Sequence, residues 1–260
     1  GLGLGSAATI VARKNEFGVS ERQYLDCGEA ATHGAIVTYY LPEALAADGK
    51  ATLAFLDAQG NVLREFALKP ADYDKLDDNK KGLNPGPWIS GKAGMNKFVW
   101  NLQSTGAVKV SGNKTAGEAN EGPHVLPGSY QVRLTVGETV LTESFELVND
   151  PRVQTPLSVL EEQRKLHQTL IDKVSAAHTA VNRLREVREQ LESWKKRTKE
   201  SSSIVIAAET ILGKLAKIED ALILPGDQKD TYSLGQPTRL NAKIATLIPI
   251  IASADAKPTQ

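Results

Sequence analysis

The segment NDPRVQTP, residues 149–156, divides the sequence into two parts with different hydrophobic periodicity. Before it, short runs of β-branched and aromatic residues are separated by turn residues, and nearly all of the 21 glycines lie on this side. After it, apolar residues recur at spacings of three and four, which is the period of an α-helix. The change of period predicts two structural units, the first built from strands and the second from helices.

Six short segments before residue 149 have the composition and alternation of β-strands. They occupy residues 35–41, 51–57, 61–66, 96–102, 129–136 and 139–148. Short strands separated by turn residues are typical of β-sandwiches, so we expect residues 33–149 to form an immunoglobulin- or fibronectin-like antiparallel sandwich. Residues 1–32 show little periodicity, which predicts a linker or an extended arm.

Residues 150–260 are predicted to form a helical hairpin or bundle with a short C-terminal tail. Thr155 and Pro156 are a helix start signal, with threonine as the cap and proline in the first turn. A second helix is expected to begin near Ser203 and to stop at Pro225, and a third to cover residues 238–252. We therefore expect an α+β protein of segregated domains, whose second part is an antiparallel three-helix bundle with one long helix.

Composition excludes several classes of protein. Lys plus Arg and Asp plus Glu both number 31, so no net positive charge draws the chain to nucleic acid, and we predict no nucleic-acid partner. The sequence has no run of 18 apolar residues, which predicts no transmembrane segment. Cys27 is the single cysteine, so neither an intramolecular disulfide nor a multi-cysteine zinc site is possible. The single methionine is Met95, so we expect this chain to be part of a longer protein.

No arrangement of residues in the sequence predicts catalysis, cofactor binding or metal binding. His167 and His178 lie about 16 Å apart along the long helix at about 1.5 Å per residue, which is too far to share a metal. The aspartates of residues 72–78 lack the spacing of an EF-hand, with Leu76 at the fifth position of the loop. No serine or cysteine has an identifiable base as partner. We predict that the chain is not an enzyme and holds no cofactor or metal.

Five motifs recur in an order that resembles a known protein family. They are HGAIVTYYL (33–41), GMNKFVWNL (94–102), LPGSYQVRL (126–134), NDPRV (149–153) and SADAKPT (253–259). Together they resemble the C-terminal region of large bacterial proteins described as sortilin-like or neuraminidase-repeat (BNR) glycosyl hydrolases, over roughly residues 25–260. In that family a β-propeller precedes an immunoglobulin-like domain and helices. The resemblance implies an exported, non-catalytic C-terminal module, and it carries over no catalytic residue.

The long helix is the predicted docking surface for a protein partner. At about 1.5 Å per residue it would be about 66 Å long, and the second helix would cover only about 33 Å of it. The residues expected to bind a partner are Leu184, Leu191, Trp194, Lys195, Lys196 and Arg197. Two alternatives remain open. Ile244, Leu247 and Ile251 could cover the apolar residues internally, and the three cations could serve mainly to complement the helix dipole.

Two functional hypotheses follow. The preferred one is a non-catalytic structural or interaction module of an exported bacterial protein, periplasmic or extracellular, that docks on its own propeller or on a cell-envelope assembly. The alternative is an accessory domain of a glycoside hydrolase, in which Tyr39, Tyr40, Trp88 or Trp100 contacts sugar through an aromatic face. Trp88 lies in a long loop and is the aromatic residue expected to be most exposed, whereas alternation places Trp100 in the core.

Overall fold

The computed structural model describes residues 10–25, 32–46, 49–113, 119–198, 203–224, 237–254 and 257. Within these residues the chain has a mixed α+β fold. The paired strands all precede residue 150, and the long helices follow it. This order agrees with the change of hydrophobic period at residues 149–156.

In the described part of the chain, strands form four sheets, and every pairing between these strands is antiparallel. The strands are β1 (Ile10–Lys14), β2 (Ser20–Tyr24), β3 (Ala35–Leu41), β4 (Ala51–Asp57), β5 (Val62–Ala67), β6 (Gly94–Trp100), β7 (Gln103–Thr105), β8 (Glu121–His124), β9 (Gly128–Val136) and β10 (Thr139–Leu147). One sheet has four strands in the order β10-β9-β4-β5. The other three sheets are the pairs β1-β2, β3-β6 and β7-β8.

All six predicted strands are present, as β3, β4, β5, β6, β9 and β10, each within two residues of the expected bounds. Alternation identifies them because one face of each strand packs inward. In β6, for example, Asn96, Phe98 and Trp100 are buried while Lys97 is exposed. The hairpin between β4 and β5 turns at Gly60, whose φ of 85° explains the need for glycine there.

One apolar cluster receives side chains from both the four-stranded sheet and the β3–β6 pair. Trp100 of β6 stacks on Phe55 of β4 with ring centroids 4.3 Å apart. Phe98 of β6 lies 4.6 Å from Phe66 of β5. The indole Nε1 of Trp100 donates to the backbone oxygen of Gln103 at 2.9 Å, so the buried ring leaves no polar atom unpaired. Large aromatic rings therefore hold the two sheets against each other.

Helices account for most of the chain after residue 156. They are α2 (Leu157–Arg197), α3 (Ser203–Leu222), α4 (Leu240–Ala245) and α5 (Leu247–Ile251), and the short α1 (Asp78–Lys81) lies earlier in the chain next to a 3-10 turn (Tyr73–Lys75). The predicted long and second helices are both present. Pro156, rather than Thr155, occupies the N-cap position of α2.

The expected single helix over residues 238–252 is wrong, because α4 and α5 are separate helices joined at Thr246. Pro249 accounts for the break. In one continuous helix its ring would clash with the carbonyl of Ala245, four residues earlier, and its missing N–H would leave that carbonyl unpaired. Restarting the helix at Leu247 places Pro249 in a first turn, where no backbone N–H donor is needed.

The expectation of a linker for residues 1–32 missed the hairpin formed by β1 and β2. The side chain of Asn15 organises its turn, because Oδ1 accepts from the backbone N–H groups of Phe17 and Val19 at 3.0 Å each. Glu16 then anchors the hairpin through Nζ of Lys92 at 2.7 Å. Residues 1–9 and 26–31 of the predicted linker, and Cys27 with them, lie outside the described residues.

The strand-rich part also contributes to the packing of the helices. Val110 is buried against Val181 of α2 and Ile223, which follows α3. Ala107 and Ala119 likewise join Ile171 and Val174 of α2 in a second cluster. The helical part is therefore less independent than the sequence predicts, because the glycine-rich loop after β7 contributes to its packing.

Candidate functional site

The contact between α2 and α3 is centred on a buried carboxylate. Glu219 of α3 is 3% exposed. Its Oε1 accepts from Nε of Arg185 at 2.8 Å, and its Oε2 accepts from Nη2 of Arg188 at 2.5 Å. A buried carboxylate is tolerated only with such charged donors, so these three residues fix which sides of α2 and α3 face each other.

One flank of this helical hairpin is covered by the loop that follows β7. Backbone oxygens of this loop accept from Asn182 Nδ2 at 3.1 Å and from Arg185 Nη1 at 2.5 Å, and the backbone N–H of Val108 donates to Ser175 Oγ at 3.2 Å. His178 Nδ1 lies 2.5 Å from the backbone oxygen of Val108. The loop thus runs along α2 for about three helical turns, at about 3.6 residues per turn.

The same flank carries α4. Asn241 Nδ2 lies 3.0 Å from Nε2 of His178 on α2. Arg239, at the start of α4, pairs with Asp220 of α3 at 2.8 Å. Because α4 contacts both long helices, the positions of His178, Asn182 and Asp220 mark the covered flank of the hairpin.

The opposite flank of α2 is apolar and uncovered along part of its length. Leu184 lies two residues after Asn182, and a rotation of about 100° per residue places it on nearly the opposite side of the helix. Leu191 follows seven residues later on the same side, and Val187 and Trp194 lie beside them. Trp194 is 60% exposed and Val187 36%, while Leu184 and Leu191 are half-buried.

The same flank of α3 carries a row of exposed isoleucines. Ile218 lies two residues before Asp220 and therefore on nearly the opposite side from α4. Ile211 and Ile204 precede it at intervals of seven residues. All three are between 42% and 48% exposed. We call Leu184, Val187, Leu191, Trp194, Ile204, Ile211 and Ile218 together the apolar hairpin face.

The predicted partner-binding cations differ in their surroundings. Lys195 pairs with Glu209 of α3 at 3.4 Å and with Glu192 at 3.9 Å, so it serves the contact between the helices. Lys196 and Arg197 are exposed, and no carboxylate of the described residues lies within ion-pair distance of either. Arg197 lies about one helical turn after Trp194 and places a positive charge beside it, whereas Lys196, two residues after Trp194, lies on nearly the opposite side of α2.

Sequence analysis identified Leu184, Leu191 and Trp194 but missed the isoleucines of α3. Their seven-residue spacing is the available signal, because such a spacing marks a seam along one side of a helix. Which flank α4 covers cannot be read from that spacing. Ile244, one of the residues named in the alternative of internal coverage, instead packs beside Ile171 and Val174, which lie ten or more residues before Leu184 on α2.

The expected exposure of Trp88 is wrong, since the side chain is only 4% exposed. Tyr73 packs edge-on against its ring with centroids 4.7 Å apart, and Phe17 of the β1–β2 hairpin does so at 5.8 Å. Trp100 is fully buried, as alternation predicted, and Tyr39 is buried in the same apolar cluster. The sugar-contacting hypothesis therefore loses the tryptophan on which it mainly relied.

The remaining residues considered for metal binding or acid–base chemistry do not form a site in the described part of the chain. His167 is 6% exposed, and burial lowers its pKa, with the charge of His124 adding to the effect. No group of three or more His, Cys, Asp or Glu residues within the described ranges is placed to hold a metal ion. Among the same residues, no helix combines the length and the apolar character needed to cross a membrane.

No protein-family model matches the chain, and neither a curated relative nor a solved structure is found to match it. The resemblance drawn from the five motifs therefore stays a prediction. The candidate site rests on the geometry of α2 and α3.

Proposed function

We propose that this chain is a non-catalytic docking module whose apolar hairpin face binds a helix of a protein partner. The observation that carries the proposal is the exposure of heptad-spaced apolar residues on one shared flank of α2 and α3. Isolated exposed apolar residues are normal on protein surfaces, whereas a contiguous apolar patch usually marks an interface.

The spacing indicates a helix as the occupant. Two antiparallel helices leave a groove between them, and side chains at seven-residue intervals are those that a third helix contacts along such a groove. Leu184 with Leu191, Val187 with Trp194, and Ile204 with Ile211 and Ile218 all follow this interval. In this proposal the partner supplies a third long helix beside α2 and α3, distinct from the third helix that the sequence predicts at residues 238–252 of this chain.

The chemistry of the partner follows from the two ends of the face. Trp194 is a large exposed aromatic side chain of the kind that often contributes most to binding. Arg197 beside it favours an acidic residue on the partner, which would also orient the bound helix. We expect the partner's helix to present leucine or isoleucine in heptads and a glutamate or aspartate near Trp194.

The remaining parts of the proposal come from the sequence motifs. We propose that the strand-rich part is an immunoglobulin-like sandwich, supported by the shared core of the four-stranded sheet and the β3–β6 pair. We also propose that the protein is exported, and that the partner is an upstream β-propeller or a cell-envelope assembly. The support for export and for these partners is the resemblance of residues 25–260 to the family described above.

A photo-crosslinking experiment tests the proposed face in the cell that expresses the protein. A photoreactive phenylalanine analogue is placed at position 194 or 211, and crosslinked proteins are identified by mass spectrometry. Position 206 is the matched control, because Ile206 is 61% exposed on α3 but lies on nearly the opposite side from Ile204.

We expect positions 194 and 211 to crosslink to the same exported protein and position 206 to give none of that product. Ile211→Asp should abolish co-elution with that protein, whereas Ile206→Asp should preserve it. Equal crosslinking from all three positions, or an unchanged complex with Ile211→Asp, would show that the apolar hairpin face is not the docking site.

A further inference from the structure

A second surface lies between the open edges of two sheets. Strand β10 is the last strand of the four-stranded sheet and pairs only with β9 in the described part of the chain. Strand β3 pairs only with β6 there. Each strand therefore has one edge whose backbone N–H and C=O groups are open to a further strand.

The two open edges border a groove of about 730 Å³. Gly34 and residues 35–40 of β3 form one wall, and residues 141–143 and 145–147 of β10 form the other. The floor contains Leu53, Val132 and Leu134, which belong to the inward face of the four-stranded sheet. Leu141 points to the same side as Leu134, its partner in the ladder, yet it is 60% exposed. An inward-facing leucine exposed to this extent indicates that one strand's width of the core is uncovered.

The charges on the groove are of one sign. Glu143 and Glu146 line it, and no lysine or arginine of the described residues lies within ion-pair distance of either. Among the described residues that line the groove, none has a cationic side chain. An occupant that carries lysine or arginine would therefore find two available carboxylates at the edge where it pairs.

We infer that this groove binds an extended segment of a protein partner, which adds as a strand antiparallel to β10. Apolar side chains at alternate positions of the segment cover Leu141, Val132 and Leu134, while its backbone completes the ladder. A lysine or arginine of the segment pairs with Glu143 or Glu146. The seven residues of β3 set the length of the segment at about 23 Å, with a rise of about 3.3 Å per residue.

A second copy of this chain is a poorer occupant of the groove. Its own β10 would bring two more carboxylates beside Glu143 and Glu146, and like charges on paired strands are destabilising. A basic segment from another protein has the complementary charge. This inference concerns a surface separate from the apolar hairpin face, so the two proposals stand or fall independently.

The test uses the whole chain and a synthetic nine-residue peptide with valine at alternate positions and one lysine on each face. Binding is measured by fluorescence anisotropy, and the backbone amides of β10 are followed by hydrogen exchange. We expect Leu141→Arg to weaken binding about tenfold or more, the equivalent of losing burial of one leucine side chain. Val140→Arg is the matched control, because Val140 is 56% exposed on the other face of the same strand.

A charge-reversal variant tests the proposed pairing between the groove carboxylates and a cationic side chain of the peptide. Glu143→Lys should weaken binding of the lysine peptide by about threefold and strengthen binding of a peptide with glutamate in place of lysine. Peptide binding should also slow exchange of the outward-pointing amides of β10. A peptide of the same composition with a central proline should not bind, since proline cannot complete the ladder.

Four results would overturn the inference. The first is the absence of binding by the lysine peptide. The second is that Val140→Arg and Leu141→Arg weaken peptide binding by the same factor. The third is slow exchange of the outward amides of β10 in the free chain at low concentration, which would mean that the chain itself covers this edge. The fourth is a dimer that dissociates with Leu141→Arg in sedimentation experiments, which would make a second copy the occupant.

Discussion

At the scale of single residues, Glu219 has the largest local effect on how α2 and α3 pack. Its carboxylate is nearly inaccessible to water and accepts from two guanidinium groups. Removing one member of such a network leaves charges in a partly buried site without partners. The residue is therefore a sensitive probe of the hairpin that carries the apolar hairpin face.

Glu219→Ala should lower the free energy of unfolding by about 3 kcal/mol, because Arg185 and Arg188 would keep their charge without a counterion. Urea denaturation followed by circular dichroism measures the change. Asp220→Ala is the control, since Asp220 is half-exposed in its pair with Arg239. We expect that variant to lose less than about 1 kcal/mol. If both variants lost the same free energy of unfolding, Glu219 would not be the main determinant of the contact between α2 and α3.

His167 makes the stability of the chain depend on pH. Its folded-state pKa is lowered, chiefly by burial and further by His124, and its Nε2 has no hydrogen-bond partner among the described residues. Arg164, also on α2, lines the same small cavity and adds positive charge. Because the folded state binds the His167 proton more weakly than the unfolded chain does, the favourable contribution to stability is fully present above the unfolded-state pKa. It is lost as the pH falls through the folded-state pKa.

We therefore expect stability to fall when the pH is lowered from about 7.5 to about 5, and this fall to be smaller in His167→Phe. Urea titrations at both pH values give the comparison. His33→Gln, a change at an exposed histidine, should keep the pH dependence of the unaltered chain. A His167→Phe variant with the original pH dependence would assign the effect to other groups.

At the scale of elements, two glycines have opposite roles. Gly34 precedes β3 with a φ of 127°, and a Cβ there would lie 2.1 Å from the backbone oxygen of Trp100. Gly213 lies inside α3, and a Cβ there would meet no atom of the described part of the chain within 4 Å. The first glycine allows β3 and β6 to approach closely, whereas the second only weakens a helix.

Gly213→Ala should raise the free energy of unfolding by about 0.5–1 kcal/mol, because alanine restricts the unfolded chain and favours helix. Gly34→Ala should lower it by more than about 2 kcal/mol, since the new methyl group meets backbone that cannot move aside. Thermal and urea unfolding of both variants provide the measurement. If Gly34→Ala were neutral, the close contact between Gly34 and Trp100 would not exist in solution.

At the scale of the whole molecule, the loop after β7 joins the strand-rich and helical parts. Val110 lies in this loop and is buried against both Val181 and Ile223. Val108, two residues earlier, is 43% exposed and provides a matched comparison. Packing of this kind couples the two parts, so they should unfold together.

Val110→Ala should lower the free energy of unfolding by about 2 kcal/mol, and Val108→Ala by less than about 0.5 kcal/mol. Tryptophan fluorescence, which includes Trp88 and Trp100 of the strand-rich part, and circular dichroism at helical wavelengths should report one coincident transition. Two separate transitions, with only the helical one shifted by Val110→Ala, would show that the parts fold independently.

The sequence alone determined the local elements of this protein. Alternation identified the six larger strands, and apolar residues at intervals of three and four identified α2 and α3, because both periods depend on backbone geometry within a few residues. It missed the β1–β2 hairpin, whose turn depends on the side chain of Asn15 and whose strands are largely exposed. It also missed the break before Pro249. The apolar residues keep a helical spacing on both sides of this proline, although its ring prevents one continuous helix.

Only the tertiary structure decided which apolar residues are covered. Trp88 and Trp194 have the same side chain, yet Phe17 and Tyr73 pack against the first while the second stays exposed. Likewise, the loop after β7 and α4 lie on one flank of the helical hairpin and leave the isoleucines of α3 on the other. These outcomes depend on contacts between residues far apart in sequence, and hydrophobic attraction has no direction that a local pattern could record. The placement of both proposed binding surfaces therefore follows from how the chain closes on itself.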